Sequence, residues 1–354
     1  MEIRELVKRA FKRDLSDPSA LSDAFDTLRL LEPEDFTLAH ERNKEVRRLS
    51  ARFAAEQKSL RMFELNKRSL LFDAPYDFDA HCRYIEWNRE PSKRFYLPRR
   101  KQLYRVAKAL QRLADNELDL LAISLPPGVG KTTLALFFLT WIGGRNPEKP
   151  ILGGSHSNAF LRGVYDECIR IMDPQGDYLW YNVFPSVKVV KTNAQDMMID
   201  LGTDPKRGKR FATLEFSSVG SGNAGKVRAE NLLYCDDLVD GLESALSKER
   251  MDKLWNLYAT DLRQRKIGDC KELHIATRWS IHDVIGRLEQ SYEKSDRAEF
   301  IVMPALNEND ESNFDYGNHA GFTTAFYHEQ REVMDDASWR ALYMNQPIER
   351  EGQL

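Results

Sequence analysis

The sequence predicts an α/β fold: a central, mainly parallel sheet flanked by helices, with a small helical region at the N-terminus. Three observations predict it. Residues 118–123 are an apolar run with the length and character of a buried parallel strand; the tight turn Pro126-Pro127-Gly128-Val129-Gly130 and a strongly apolar helical stretch follow. Residues 150–157 and 158–172 are a second strand and helix, the helix capped by Asn158. Residues 231–237 are an apolar strand ending in two carboxylates, Asp236 and Asp237.

Composition bounds the classes available. At 354 residues the chain is too long for one small core, so one large domain plus an accessory part is expected. It is 42% hydrophobic and 30% charged, which suits a folded protein. Net charge is −3, so no global basic field advertises nucleic acid, and any such contact must be a local patch. Cys82, Cys168, Cys235 and Cys270 are scattered without metal-type pairing and read as the reduced thiols of a cytosol. No signal peptide is seen, and the longest apolar run, 134–142, is too short to span a bilayer, so no membrane role is expected.

Residues 1–74 read as a helical accessory region. Val46, Leu49, Phe53 and Leu60 keep the spacing of one amphipathic helix, preceded by shorter ones, with charges that suit a solvated face. Residues 75–320 form the core region. Its entry, 94–102, precedes a helix running to about 114. It is either a basic linker or, through Arg99 and Gln102, a holder for an adenine ring by stacking and hydrogen bonding.

The turn after the first strand carries the main chemical signal. Strand, glycine turn, Lys131-Thr132-Thr133 and helix is the arrangement that holds a nucleotide triphosphate. The backbone of the turn Pro127-Gly128-Val129-Gly130 and the helix start are expected to face the phosphates, where anions are favoured. Lys131 reaches β- and γ-phosphates, and the Thr132 hydroxyl ligates Mg²⁺. As a bare string the match is imperfect, because Leu125 stands where the usual pattern has glycine. Gly143-Gly144 is expected to end the helix.

Further along, 187–190, 197–201 and 211–217 look extended. The last two flank a turn rich in Lys206, Arg207, Lys209 and Arg210, a hairpin tip that is either solvated or a phosphate-backbone contact. A glycine-rich loop, 220–228, leads into the carboxylate strand. Asp236 would hold Mg²⁺ and Asp237 would orient or deprotonate the attacking water, unless the pair is a solvated turn. A long helix is expected over 243–265, then a strand, 271–277, whose tip residue Thr277 can sense the γ-phosphate. Ser280 should cap a helix over 281–292, 299–306 is the last core strand, and 307–322 reads as a polar loop. Two short helices, 323–334 and 337–344, lie in a C-terminal segment, 321–354.

Residues 125–132, the Gly225-Lys226-Val227-Arg228 loop, the Asp236-Asp237 strand end, and the runs 276–279 and 283–288 together resemble the ATPase domain of tailed-bacteriophage terminase large subunits. The Tyr343, Gln346-Pro347 and Glu351-Gly352 ending resembles that family's passage towards a nuclease domain. The likeness covers roughly residues 75–354 and rests on four motifs in order.

The resemblance implies a P-loop NTPase fold of the additional-strand type, with a strand between the phosphate-loop strand and the carboxylate strand. It implies ATP and Mg²⁺ as cofactors and action in a host-cell cytoplasm. It implies double-stranded DNA, a portal protein and a small terminase subunit as partners, with self-association into a ring on a prohead. The clustered acids of a nuclease are not found, so DNA cleavage is not expected. Because the phosphate turn holds no arginine, Arg228, or an arginine from a neighbouring subunit, is the candidate transition-state cation, and Glu243 stands behind Asp237 as the alternative catalytic carboxylate. Two other functions fit the same residues: a helicase-like or other nucleic-acid-dependent ATPase, and a nucleotide-binding assembly scaffold with weak hydrolysis.

Overall fold

Side-chain oxygens start most of the N-terminal helices. In this computed structural model, which describes residues 2–204, 209–221, 228–317 and 321–348, the chain divides into two units, Met1–Asn88 and Arg89–Leu354. The first unit is five helices: α1 (Ile3–Phe11), α2 (Pro18–Leu31), α3 (Phe36–Glu56), α4 (Leu60–Asp73) and α5 (Phe78–Ile85). Asp17, Asp35, Ser59 and Asp77 accept from the first-turn N–H groups of α2, α3, α4 and α5. Leu21, Phe25, Leu28, Val46, Phe53, Met62 and Leu65 form its core.

Two expectations change here. Leu60 does not continue the helix of Val46 and Phe53. The chain turns at Lys58, whose φ is +50°, Ser59 caps a new helix, and Leu60 stands 81% exposed. The domain boundary falls after Asn88 rather than after residue 74, because α5 and its sequel stay with the helices, with the Phe63 and Trp87 rings 4.6 Å apart.

The second unit contains α6 (Tyr96–Ala114), β1 (Leu120–Ser124), α7 (Lys131–Arg145), β2 (Ile151–Ser155), α8 (Asn158–Ile171), α9 (Trp180–Val183), β3 (Lys188–Asn193), β4 (Met198–Gly202), β5 (Leu214–Ser218), β6 (Leu232–Asp236), α10 (Gly241–Ala245), α11 (Lys248–Leu257), β7 (Lys271–Ala276), α12 (Val284–Ser291), β8 (Ala298–Val302), α13 (Thr324–Glu332) and α14 (Asp336–Leu342). The eight strands form one sheet in the order β3-β4-β5-β2-β6-β7-β1-β8. From β5 to β8 every pairing is parallel; β3 with β4 and β4 with β5 are antiparallel. β1, β2 and β6 are buried at every residue, as strands covered on both faces must be. β7 stands between β1 and β6, so the strand leading to Lys131 and the strand ending at Asp236 are separated by the strand that leads to Thr277.

Several boundaries differ from expectation for local reasons. α7 runs through Gly143-Gly144 to Arg145. These glycines end nothing; a Cβ on Gly144 would lie 2.5 Å from the Phe184 ring, so the residue permits close packing. Ser157, not Asn158, caps α8 by accepting from Phe160 N–H. The expected long helix after residue 243 is broken. Ser247 caps α11, the chain widens into a π-helical turn over Tyr258–Leu262, and a 3-10 turn follows over Arg263–Arg265. The widening accompanies a buried hydrogen bond from the Tyr258 hydroxyl to Glu272, 2.5 Å. Asp283, not Ser280, caps α12. Residues 321–348 are no detached linker, since Ala305 N–H donates to the Tyr343 carbonyl and Arg278 N–H to Asn345 Oδ1.

Candidate functional site

The parallel strands deliver their C-terminal ends to one edge of the sheet. There β1 gives way to the turn Pro126–Gly130 and α7, β6 ends at Asp236, β7 leads to Thr277, and β2 leads to His156. The crevice beyond such strand ends is where open α/β sheets place their ligands.

Gly130 adopts φ +107° and directly precedes α7, and Gly128 adopts φ +79°, so both lie in the left-handed region where only glycine is unstrained. A Cβ on Gly130 would also meet the Phe95 ring at 2.4 Å. Leu125, the residue that departs from the usual glycine, is fully buried beneath the turn. Lys131 is buried at the start of α7.

Asp236 is completely buried. Burial and the adjacent Asp237 charge push its carboxyl up to about 7, against the opposing pull of the Tyr234 hydroxyl, Lys131 and the Thr132 hydroxyl. Tyr234 donates to Oδ2. Oδ1 has no hydrogen-bond partner. An orphaned buried carboxylate oxygen beside a threonine hydroxyl is a pair of oxygen ligands that a hard divalent cation suits, while the Lys131 ammonium nearby suits the anionic ligand such a cation would accompany. No group of three or more His, Cys, Asp or Glu side chains is placed to hold a metal by itself among the described residues. A Mg²⁺ ion here would therefore rest on Asp236, Thr132 and ligand oxygens.

Asp237 is half-buried and adopts φ +42°, an unusual angle for a non-glycine residue. Neighbouring strands hold it in place. Its N–H donates to the Ile275 carbonyl at 2.9 Å, and its Oδ1 accepts from Thr277 N–H at 3.2 Å. Three donors converge on its carbonyl: His156 N–H at 3.4 Å, His156 Nδ1 at 2.6 Å and the Ser155 hydroxyl at 3.3 Å. A carbonyl only accepts, so the imidazole carries its proton on Nδ1 there. Sequence reasoning passed over His156; the signal available was a polar residue at the end of a buried strand, the same signal that singled out Thr277.

Arg99 and Gln102 lie in the first turns of α6 rather than ahead of it. The Arg99 guanidinium sits 5.1 Å from the centroids of both Phe95 and Tyr316, and Arg99 Nε and Gln102 Oε1 are buried without hydrogen-bond partners. The expected polar loop 307–322 contributes apolar packing here. Phe314 and Tyr316 are buried, the Tyr316 hydroxyl donates to the Val129 carbonyl at 3.0 Å, and the Phe322 ring lies 3.0 Å from where a Gly128 Cβ would stand. Aromatic residues from a segment almost two hundred residues downstream thus pack on the Pro126–Gly130 turn.

Other expected residues lie elsewhere. Arg228 is exposed and stands before β6, with its guanidinium 5.6 Å from the Phe211 ring; its neighbour Ala229 bridges to Lys266. That is the strand-start edge. The length of β6 alone separates it from Asp236 by about 13 Å at ~3.3 Å per residue, so Arg228 does not approach Asp236 within its own chain. Glu243 is exposed on the short helix α10 and joins none of the contacts around Asp237. Lys209 turns inward, donating to the Pro147 carbonyl at 2.6 Å and pairing with Asp200 at 3.1 Å, so it is a brace of the β4–β5 connection rather than a DNA contact. Arg210 lies over the Phe211 ring at 5.2 Å. Lys206, Arg207 and the Gly225-Lys226-Val227 part of the glycine-rich loop lie outside the described residues, as does Glu351-Gly352.

No helix among the described residues is long and apolar enough to cross a membrane. No family model and no curated protein matches this sequence. Among solved structures, the crystal structure of the HK97 bacteriophage large terminase is similar, at 13% identity and a TM-score of 0.47 over 68% of this chain and 50% of that one. The match therefore spans about half the length of that protein.

Proposed function

We propose that this chain is an ATP-hydrolysing motor subunit of a viral DNA-packaging terminase, of the additional-strand P-loop type. One observation carries the hydrolytic part: a buried carboxylate, Asp236, keeps one oxygen without a partner beside Lys131 and Thr132, at the strand edge where a glycine turn opens a helix. The order of the phosphate turn, carboxylate strand and Thr277 strand, and their likeness to terminase ATPase motifs, support the rest.

In this reading the N–H groups of Gly128–Gly130 and the α7 start bind the phosphates, with Lys131 on the β- and γ-oxygens. Mg²⁺, held by Asp236 and Thr132, supplies neutralisation of charge on the transferred phosphoryl group. Asp237 orients the attacking water and accepts its proton. Thr277, whose N–H donates to Asp237 Oδ1, is the residue that reports whether γ-phosphate is present in this reading. Gln102 and Arg99 hold the base. The transition-state arginine comes from a ring neighbour; Arg228, away from Asp236 of its own chain, is the candidate donor in trans. Double-stranded DNA is the translocated substrate, with portal protein and small terminase subunit as partners.

The test is Mg²⁺-dependent ATP hydrolysis by the purified chain, with and without duplex DNA, against Lys131→Ala. DNA-stimulated turnover that Lys131→Ala abolishes is expected. A wild-type chain that neither binds nor hydrolyses ATP overturns the reading. Mixing Arg228→Ala with Lys131→Ala subunits tests donation across an interface: recovered turnover is expected, and a mixture as inactive as its parents rules against Arg228.

A further inference from the structure

Helix α6 carries six cations, Arg99, Arg100, Lys101, Arg105, Lys108 and Arg112, and not one carboxylate, in a chain whose net charge is −3. Its buried face is Leu103, Val106, Ala107, Leu110 and Leu113. Its exposed residues Leu97, Lys101, Arg105, Lys108 and Arg112 fall at successive spacings of four, four, three and four and so form one stripe, with the exposed Tyr104 three residues from Lys101 and four from Lys108. From Lys101 to Arg112 the stripe runs about 16 Å at 1.5 Å per residue. Arg112 is engaged by Glu117 and Glu299 at its C-terminal end. Lys101, Arg105 and Lys108 make no ion pair among the described residues. An ordinary solvated face mixes both signs; this one holds three unneutralised cations in a row.

We propose that this stripe is a contact surface for the phosphate backbone of double-stranded DNA. Charge complementarity selects a polyanion. Tyr104 argues for duplex rather than single strand. Arg100 lies 4.8 Å and Lys108 5.7 Å from its ring centroid, so the ring serves to hold cations and is not offered to an unstacked base. A straight rod of cations without a free stacking platform reads phosphates and ignores sequence. Of the basic residues expected at the hairpin tip, Lys209 is turned inward.

The inference deepens the DNA part of the proposed function and rests on it only for the identity of the polyanion. The test is fluorescence anisotropy of a labelled duplex titrated with the full chain over a range of salt, comparing wild type with Lys101→Ala/Arg105→Ala/Lys108→Ala. At about 0.9 per phosphate contact, the triple variant should lose about 2.7 from the slope of log affinity against log salt, so over a fourfold rise in salt wild type should lose about fortyfold more affinity than the variant. A far-ultraviolet spectrum and Mg-ATP binding should be unchanged in the variant. An unchanged salt slope, or a wild-type chain blind to duplex, overturns the proposal while a DNA-independent ATPase result leaves the hydrolytic reading standing. A single strand bound more tightly than the duplex, with the same loss of slope, overturns the duplex assignment.

Discussion

Lys131 and Asp237 do separable work in the proposed site, and mutation should separate them. Lys131 supplies the only cation of the phosphate turn, so Lys131→Ala should lose nucleotide binding and turnover together. Asp237→Asn keeps the shape and should still bind Mg-ATP, with turnover lower by about a hundredfold or more, the usual worth of a general base. Equilibrium binding of a fluorescent ATP analogue beside steady-state hydrolysis distinguishes the two losses; near-normal turnover in Asp237→Asn would remove Asp237 from the catalytic role. His156 acts one step further out. Its ring N–H and backbone N–H hold the carbonyl of Asp237, whose left-handed angle costs most L-residues about 1–2 kcal/mol. His156→Ala should therefore lower kcat with little change in KM, and His156→Asn, whose amide can replace the Nδ1 donor, should recover part of it. Equal kcat in wild type and His156→Ala would show that the loop holds its shape without the imidazole.

Among the elements, the phosphate turn is the one built with least tolerance. Gly130→Ala combines a φ of +107° with a Cβ only 2.4 Å from the Phe95 ring. Relief requires the ring to move, and that ring also flanks Arg99. The expected result is a lower melting temperature, a loss of about 1–3 kcal/mol for backbone strain, and weakened ATP binding. An undisturbed melt with normal binding would mean the turn has freedom that its geometry does not suggest. The aromatic pair from 314–322 belongs to the same argument, because the turn is packed from outside by a segment its own sequence does not contain.

At the scale of the whole second unit, a buried ionic cluster ties β7 to the broken helical segment before it. Glu272 is fully buried and takes bonds from Tyr258 at 2.5 Å, Lys266 at 2.6 Å and Arg263 at 3.0 Å, with His274 at 3.1 Å. Burial alone would raise its carboxyl, but His274 and Lys266 outweigh that and hold it well below the usual carboxylate range. A depressed acid contributes stability that is present above its unfolded value, 4.5, and is lost as pH falls through the folded one. Denaturant midpoints of wild type should therefore fall below about pH 4.5, and Glu272→Gln should be less stable at pH 7 with a flatter acid dependence. Parallel pH profiles for the two proteins would place the acid sensitivity elsewhere.

Residues 118–141 alone specify a buried strand, a glycine turn and an apolar helix, because strand burial, left-handed glycine angles and helical periodicity are local properties. The Asp236-Asp237 strand end was legible for the same reason: an apolar run broken by two carboxylates marks where a strand leaves the core. The residue pattern by itself did not give the sheet order, since pairing joins residues as far apart as Leu120 and Glu272; a strand between β1 and β6 was expected only from the family resemblance, and the folded chain identifies it as β7. Nor could the sequence tell an inward lysine from an outward one. Lys209 and Lys101 are alike in composition, and it is the carbonyls of Pro147 and Leu201 that capture the first while α6 leaves the second in solvent. The same holds for His156, Tyr316 and Arg228. Strand direction places Arg228 at the far edge, and tertiary packing brings His156 to Asp237 and Tyr316 to the phosphate turn, because hydrogen bonds and ring contacts depend on where chains meet rather than on which residues adjoin.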